Sequence, residues 1–344
     1  MEHKEEHARG LCENVGEGMA DMVGIGIIVG FVGQALLSLI LAFWVFFMTK
    51  HGRLNSSAEH GTIEWKIQQK RLTFVSEMLM IGNDIQLGLG ISYMITAFTQ
   101  SHTMDLYHLR LIFDIVCFVG VSSAAALVCW SFCAMQLPDI KKTVVHPRHA
   151  FWTVRHRVTY AFAAMFVGLT ILLMIRLGEW NLDAEPGRCY HTAWTTRDDA
   201  SHPVADRVYV GITAAWILVT MASSIWVGAR HRRWILSSTI LQFPVHLYMA
   251  IALRTANQGK LSGEEVNENA WDFGQTTAVV LLAMAVGELY RKGREFLSFE
   301  RALRKSGHVD VEDRDIELQL KPRGSQSAEE DEMEDVALNR EPPT

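Results

Sequence analysis

The chain has 344 residues, of which 49% are hydrophobic and only 20% are charged, and its formal net charge at pH 7 is −6. The mean hydropathy is +0.11 although both ends of the chain are strongly polar, so the apolar residues must be concentrated in blocks. This composition excludes a disordered chain, a collagen and a small disulfide-rich scaffold.

Seven apolar blocks are each long enough to cross a bilayer whose hydrocarbon core is roughly 30 Å thick. A segment in lipid has to be helical, because only a helix satisfies its own backbone polar groups. We therefore predict an all-α, polytopic membrane protein with a seven-helix transmembrane domain over residues 23–290. The predicted spans are about 23–48, 72–98, 106–135, 158–177, 208–227, 234–253 and 272–290.

The second block is the least apolar of the seven. It contains two acids and two amides, namely Glu77, Asn83, Asp84 and Gln86. We interpret it as transmembrane, because basic residues bound it on one side and a polar loop on the other. The alternative is an amphipathic helix that lies on the membrane surface.

The distribution of basic residues predicts the orientation. Loops 49–71, 136–157 and 229–233 carry thirteen Lys and Arg residues, whereas the four segments on the opposite side carry five. Basic residues collect on the cytosolic side of a membrane. We therefore expect the N-terminal segment, residues 1–22, to lie outside and the C-terminus to lie in the cytosol, with the protein in the plasma membrane or an endomembrane.

The chain after the last span divides into two parts. Residues 291–305 hold six basic residues, and Phe296, Phe299 and Leu303 repeat at helical spacing, which predicts an amphipathic helix at the cytosolic membrane interface. Residues 306–344 hold twelve acids against four basic residues and predict a disordered tail. Because the tail accounts for the net negative charge, no nucleic-acid partner is predicted.

Five cysteines are present, and only Cys12 and Cys189 fall on the predicted outer side. That compartment is oxidising, so the pair predicts one disulfide between the N-terminal segment and the 178–206 loop; the alternative is two unpaired thiols. The other three are interpreted as buried apolar residues of the third span: Cys117, Cys129 and Cys133. No CxxC spacing occurs, and neither a metal site nor a cofactor is predicted.

A few polar residues lie deep in the predicted spans, where ionisable groups are costly and mark functional sites. With a rise of about 1.5 Å per residue, Asp84, Asp114 and His246 fall in one layer roughly 12 Å below the outer surface. Three glutamines complete the set: Gln34, Gln86 and Gln242. The layer predicts either an outward-opening polar cavity or a set of interhelical hydrogen bonds.

Five short segments occur in a fixed order between residues 12 and 295. They are Cys12 with Ala20-Asp21-Met22-Val23-Gly24-Ile25-Gly26, Asp84-Ile85-Gln86-Leu87 with Gly90, Tyr107-His108 with Asp114, Arg188-Cys189-Tyr190, and Trp271-Asp272-Phe273-Gly274-Gln275. Together they resemble a family of uncharacterised seven-helix integral membrane proteins of filamentous ascomycete fungi. The resemblance implies the seven-helix fold and the outer cysteine pair, and it brings no established activity. The chain departs from the family pattern at Ile85, which replaces a glutamine, and at 119–123, which lacks the family's Thr-His pair.

Three functions are compatible with these features. The topology, the outer cysteine pair and the acidic tail favour a receptor-like sensor that takes a small-molecule ligand from the outer side. A cytosolic signalling protein would then bind the basic loops or the tail, and membrane lipid would surround the bundle. The alternatives are a proton-linked channel or transporter, and a lipid- or terpenoid-modifying enzyme with a buried aspartate as general acid. The enzyme is the less favoured reading.

Overall fold

The computed structural model describes residues 12, 15–50, 62–136, 154–181, 187–195, 203–226, 231–261 and 271–306. A short helix α1 (Ala20–Val23) precedes seven long helices. These are α2 (Ile25–Lys50), α3 (Ile63–Thr99), α4 (Leu106–Gln136), α5 (Val154–Gly178), α6 (Val204–Trp226), α7 (Arg232–Asn257) and α8 (Phe273–Ser306). The predicted all-α architecture is confirmed. The predicted disordered tail and most of the N-terminal segment lie outside the described residues.

Six of the described helices are long and apolar enough to cross a membrane: α2 together with α1, and α4 to α8. Helix α3 is the exception, since the acids and amides of the second predicted span dilute its apolar content. At 37 residues it is nevertheless the longest helix, and Thr62 caps its start by accepting a hydrogen bond from Trp65 N at 3.4 Å. Asn83 and Gln86 of α3 are turned into the bundle, where both are buried.

Helix α4 forms the centre of the bundle. Every residue from Leu106 to Cys129 is buried, and the helix packs against α2, α3, α5, α6 and α7. Because most of this helix is apolar, its burial removes a large hydrophobic surface from the surroundings. Any charged residue of α4 is therefore enclosed by protein on all sides, which is what positions the site described below.

Helix α8 lies at the periphery and packs mainly on α2. The contact is close because Gly26 and Gly30 of α2 face Gln275 and Ala278 of α8; a Cβ built on Gly30 would lie 2.8 Å from the Ala278 Cβ. Small residues four apart let helix backbones approach in membrane proteins. The Gly26 amide also donates to Gln275 Oε1 at 3.0 Å, so this interface is fixed at its start by a buried hydrogen bond.

The segment 291–305 continues α8 without a break, up to Ser306. Its apolar stripe of Phe296, Phe299 and Leu303 is buried against Ile67 near the start of α3. Arg71 of α3 lies over the Phe296 ring, with its Cζ 5.4 Å from the ring centroid. The stripe thus packs on α3 in the structure, and its position at the membrane interface stays a prediction.

One end of the bundle carries a compact group of loops, which we call the cap: Cys12, residues 15–19, Asp105 and residues 187–195. The predicted cysteine pair forms a disulfide in the structure, with the Cα atoms of Cys12 and Cys189 5.8 Å apart. The cap is tied to α4 by Leu106 N, which donates to Gly187 O at 2.8 Å.

Two glycines and one asparagine hold the cap in place. Gly16 and Gly187 have positive φ angles of 124° and 78°, and both pack directly on the Asp105 carboxylate. At the end of α7, Asn257 Oδ1 accepts from His191 N at 2.7 Å and Asn257 Nδ2 donates to His191 O at 2.9 Å. The cap is therefore anchored to both α4 and α7.

Candidate functional site: a buried ion cluster

The centre of the candidate site is an ion pair within α4. Arg110 Nη1 donates to Asp114 Oδ2 at 2.5 Å, and both side chains have zero exposure. The two residues are one helical turn apart, so the α-helix itself brings them together. A buried charge is tolerated only when it is paired and hydrogen-bonded. The Nη1–Oδ2 contact supplies one such bond, whereas Arg110 Nε and Nη2 make no hydrogen bond to the described residues.

A second carboxylate reaches the same guanidinium from another helix. Asp206, in the first turn of α6, places Oδ1 3.5 Å from Arg110 Nε, and its side chain is 2% exposed. Arg110 therefore joins α4 to α6 through its planar fork, which can serve two acceptors at once. With one guanidinium and two carboxylates, the three groups carry a formal charge of −1.

A tyrosine and a histidine bring α6 and α7 to the free oxygen of Asp114. The Tyr209 hydroxyl donates to Asp114 Oδ1 at 2.9 Å and lies 2.9 Å from His246 Nδ1. His246 Nδ1 is itself 3.2 Å from Asp114 Oδ1. The Arg110 Cζ lies over the Tyr209 ring, 4.5 Å from its centroid. The ion cluster, defined as Arg110, Asp114, Asp206, Tyr209 and His246, thus connects three helices.

The cap touches the ion cluster through Tyr190. This residue follows Cys189, is 2% exposed, and its ring contacts Trp180 edge-on with centroids 4.9 Å apart. Burial raises the pKa of Tyr190, and the neighbouring Asp206 carboxylate raises this pKa further. The phenol consequently stays neutral next to the carboxylate. The disulfide and the buried charges are joined by a single residue of the same loop.

Two members of the ion cluster and a neighbouring cysteine form a set with a composition able to hold a metal ion. Asp114, Cys117 and His246 each offer one ligand atom, all these atoms lie within 4.8 Å of one another, and all three residues are buried. Cys117 stands three residues after Asp114, so the two share a face of α4. A thiol, a carboxylate and an imidazole thus converge from two helices.

The structure separates the residues of the predicted polar layer. Asp114 and His246 are in direct contact, whereas Asp84 is exposed on the surface of α3. Gln242 is buried one turn before His246, with its carboxamide 3.1 Å from Trp216 Nε1 in the orientation that satisfies both groups. Gln34 and Gln86 are buried on α2 and α3 and belong to a second group.

This second group consists of uncharged polar side chains on α2, α3 and α4. Gln86 Oε1 accepts a short hydrogen bond from Ser122. Several other polar atoms of the group make no hydrogen bond to the described part of the chain: Gln34 Oε1, Asn83 Oδ1 and Nδ2, Gln86 Nε2 and Ser123 Oγ. Buried polar atoms of this kind usually bind water.

Three members of the ion cluster are missing from the sequence-predicted layer: Arg110, Asp206 and Tyr209. The signal for Arg110 is present in the sequence, because a basic residue four before an acid in an apolar helix indicates an ion pair. Asp206 stands at the edge of its span, where sequence alone does not separate a loop residue from a buried one. Tyr209 has no pattern that distinguishes it from a membrane-interface tyrosine.

Two clefts in the described part of the chain lie away from the ion cluster. One lies between α2, α3 and α8 and is lined by Gln34, Ser38 and Glu288 among apolar side chains. The other is a shallow surface between Trp194 and α7. The outward-opening cavity therefore stays a prediction.

No protein-family model, no curated protein and no solved structure matches this chain. The length and apolar composition of its own helices indicate that the chain is a helical protein with several membrane-spanning helices.

Proposed function

We propose that this multipass membrane protein is a receptor-like sensor, in which the cap receives a stimulus and the ion cluster passes it to α6 and α7. One observation carries the proposal: Arg110 binds carboxylates from two helices, while Tyr190 of the cap lies beside one of them. A displacement of the cap would change the surroundings of Asp206 and, through Arg110, of Asp114. Networks of this kind are sensitive to the loss of any partner.

The proposal includes the topology. All seven long helices span the membrane, α3 among them, since it packs on the central α4 and turns its amides inward. The cap end is the outer side, in keeping with the excess of basic residues at the other end and with a disulfide, which forms in oxidising compartments. We also propose that the chain is related to the ascomycete seven-helix membrane proteins that its sequence resembles.

The two alternatives receive less support from the geometry. An enzyme would need a protonated aspartate that reaches a substrate, but Asp114 has no exposure and is ion-paired, and Asp84 is exposed on the outside of the bundle. A proton-linked transporter needs a buried titratable group that is reached from both sides in turn. The Asp114–His246 contact supplies a buried pair of titratable groups, so transport is the second candidate.

Hydrogen–deuterium exchange of the full chain in lipid nanodiscs tests the sensor. Tyr190→Phe removes only the hydroxyl next to Asp206. We expect faster amide exchange at the ends of α6 and α7 that lie far from the cap, residues 220–226 and 231–240. Trp194→Phe is the matched control, because Trp194 is an exposed aromatic residue of the same loop and is expected to leave those segments unchanged.

A change confined to the cap in Tyr190→Phe contradicts the sensor, since the cluster would then transmit nothing. Transport is tested separately with a pH-sensitive dye inside proteoliposomes. The sensor predicts proton entry equal to that of protein-free vesicles, whereas the transporter predicts entry that disappears in Asp114→Asn. If exchange becomes faster far from the cap, the next step is to identify the small-molecule ligand on the outer side. The cytosolic signalling protein that binds the basic loops or the tail is then identified as well.

A C-terminal tag on cells tests the orientation. We expect an antibody to reach the tag only after the membrane is permeabilised, and a tag before Cys12 to be reached without permeabilisation. Both tags on one side would contradict an odd number of spans and would remove the proposed topology.

A further inference from the structure

The ion cluster contains more ligand atoms than its hydrogen bonds need. Asp114 uses Oδ2 for Arg110, which leaves Oδ1 facing Tyr209 and His246. Cys117 lies on the same face of α4 and is buried, and it completes a set of three ligand atoms within 4.8 Å of one another.

We infer that Asp114, Cys117 and His246 bind a divalent transition-metal ion, for which Zn²⁺ is the best match. The inference goes beyond the proposed sensor and does not depend on it. Asp114 would bind through Oδ1, His246 through Nδ1 and Cys117 through its thiolate. The Tyr209 oxygen lies 2.9 Å from His246 Nδ1 and 2.9 Å from Asp114 Oδ1, and it would supply the fourth ligand.

The spacing of the donors suits one tetrahedral ion. Zinc binds nitrogen and oxygen at about 2.0–2.2 Å and sulfur at about 2.3 Å, so neighbouring ligand atoms around it are roughly 3.3–3.8 Å apart. The Asp114 Oδ1 to His246 Nδ1 distance is 3.2 Å. All three ligand atoms lie within 4.8 Å of one another, so the widest pair would have to close by at most about 1 Å, a movement within the reach of one side-chain torsion.

Charge balance also favours a divalent ion. Asp114, Asp206 and a Cys117 thiolate carry three negative charges, and Arg110 with a divalent cation carries three positive charges. The buried cluster is then neutral, whereas Arg110 and the two carboxylates alone leave an excess negative charge in a low-dielectric interior. Binding releases the Cys117 thiol proton to solvent and leaves His246 uncharged.

The types of ligand atom narrow the choice of metal ion. Calcium and magnesium prefer sites made of oxygen alone, while a mixed set of thiolate, imidazole and carboxylate suits zinc, which takes such ligands in tetrahedral sites. In helical bundles, metal sites are built from side chains on facing helices. Here α4 gives two ligands at positions i and i+3, and α7 gives the third.

The experiment uses the full chain, purified in detergent with a tag free of histidine. Bound metal is counted by mass spectrometry after equilibration with zinc and removal of free ion, and Co²⁺ is then added to the zinc-free protein. We expect about one zinc per chain and a thiolate-to-cobalt charge-transfer absorption band. Cys117→Ser should abolish the band and weaken zinc binding by at least about tenfold.

Cys129→Ser is the matched control, because Cys129 is a buried thiol of the same helix whose sulfur contacts Ala42 O instead. It should keep both the zinc and the cobalt band. A folded wild-type protein without a cobalt–thiolate band overturns the inference, and so does equal loss of the band in both serine variants. His246→Asn gives a second removal of a ligand in case Cys117→Ser does not fold.

Discussion

Arg110 and Asp114 form an ion pair of 2.5 Å in the second and third turns of α4, the most buried of the described helices. Helix α4 contacts five other long helices. A change in the packing of these helices would therefore alter the surroundings of the ion pair. Arg110 also faces Asp206 of α6, so a single guanidinium is ion-paired with carboxylates on two helices. The stability of the bundle and the chemistry of its core depend on the same residue.

Arg110→Met should therefore destabilise the protein strongly. It leaves two buried carboxylates without their cation, and breaking a buried pair in this way costs about 3–5 kcal/mol. The measurement is thermal unfolding in detergent. Arg301→Met, which removes an exposed arginine of α8, should change the midpoint little. Equal midpoints for Arg110→Met and the wild type would show that the cluster does not hold the helices together.

Cys12→Ser, Cys189→Ser and the double variant should all lose the same stability. The bond joins residues separated by 177 positions, and a disulfide of this kind contributes about 2–4 kcal/mol. Since either substitution removes the whole bond, combining the two adds nothing. Thermal unfolding without reductant measures the loss, and intact mass before and after reduction counts the bonded cysteines. Unequal effects of the two single variants would contradict a shared bond.

The helices and their order follow from the sequence, because blocks of apolar residues of membrane-spanning length have one stable conformation in lipid. The sequence also predicts that Asp114 and His246 lie at the same level, because the helical rise alone puts them there. The structure places the two residues in contact. The cysteine pair follows from the prediction that Cys12 and Cys189 lie on the same side of the membrane, and the two residues form a disulfide in the structure. These properties depend on distance along one helix or on the side of the membrane, both of which a sequence records.

The rotation of each helix about its own axis, which decides which side chains are buried, does not follow from the sequence. Asp84 shares its predicted depth with Asp114, yet its helix turns it to the exterior and turns Asn83 and Gln86 inward. Helix α3 is almost equally polar on several faces, so no apolar stripe fixes its rotation, and packing against α4 decides it. Asp206 shows the same limit, because only the fold brings the first turn of α6 to Arg110.

Gly30→Ala should weaken the packing of α8 on α2. The added Cβ would lie 2.8 Å from Ala278 Cβ, so the helices have to move apart, and overpacking of this kind costs about 1–3 kcal/mol. Gly287→Ala on α8 is the matched control, because a Cβ there meets nothing within 4 Å and should be neutral or slightly stabilising. Thermal unfolding of both variants makes the comparison, and equal midpoints would contradict a glycine-dependent interface.

The cap should lose stability in mild acid through His191. Burial, with Lys260 nearby, lowers the pKa of His191 below its usual value of 6.5. As the pH falls below that usual value, the unfolded chain takes up a proton that the folded cap resists, so the stability declines until the folded pKa is reached. His191→Gln keeps the backbone bonds to Asn257 and should flatten this part of the pH dependence, measured as the unfolding midpoint between about pH 7.5 and about pH 5. His102→Gln is the control, because His102 is an exposed loop histidine, and it should keep the wild-type dependence of the unfolding midpoint on pH. If His191→Gln also kept that dependence, the acid sensitivity would belong to other groups.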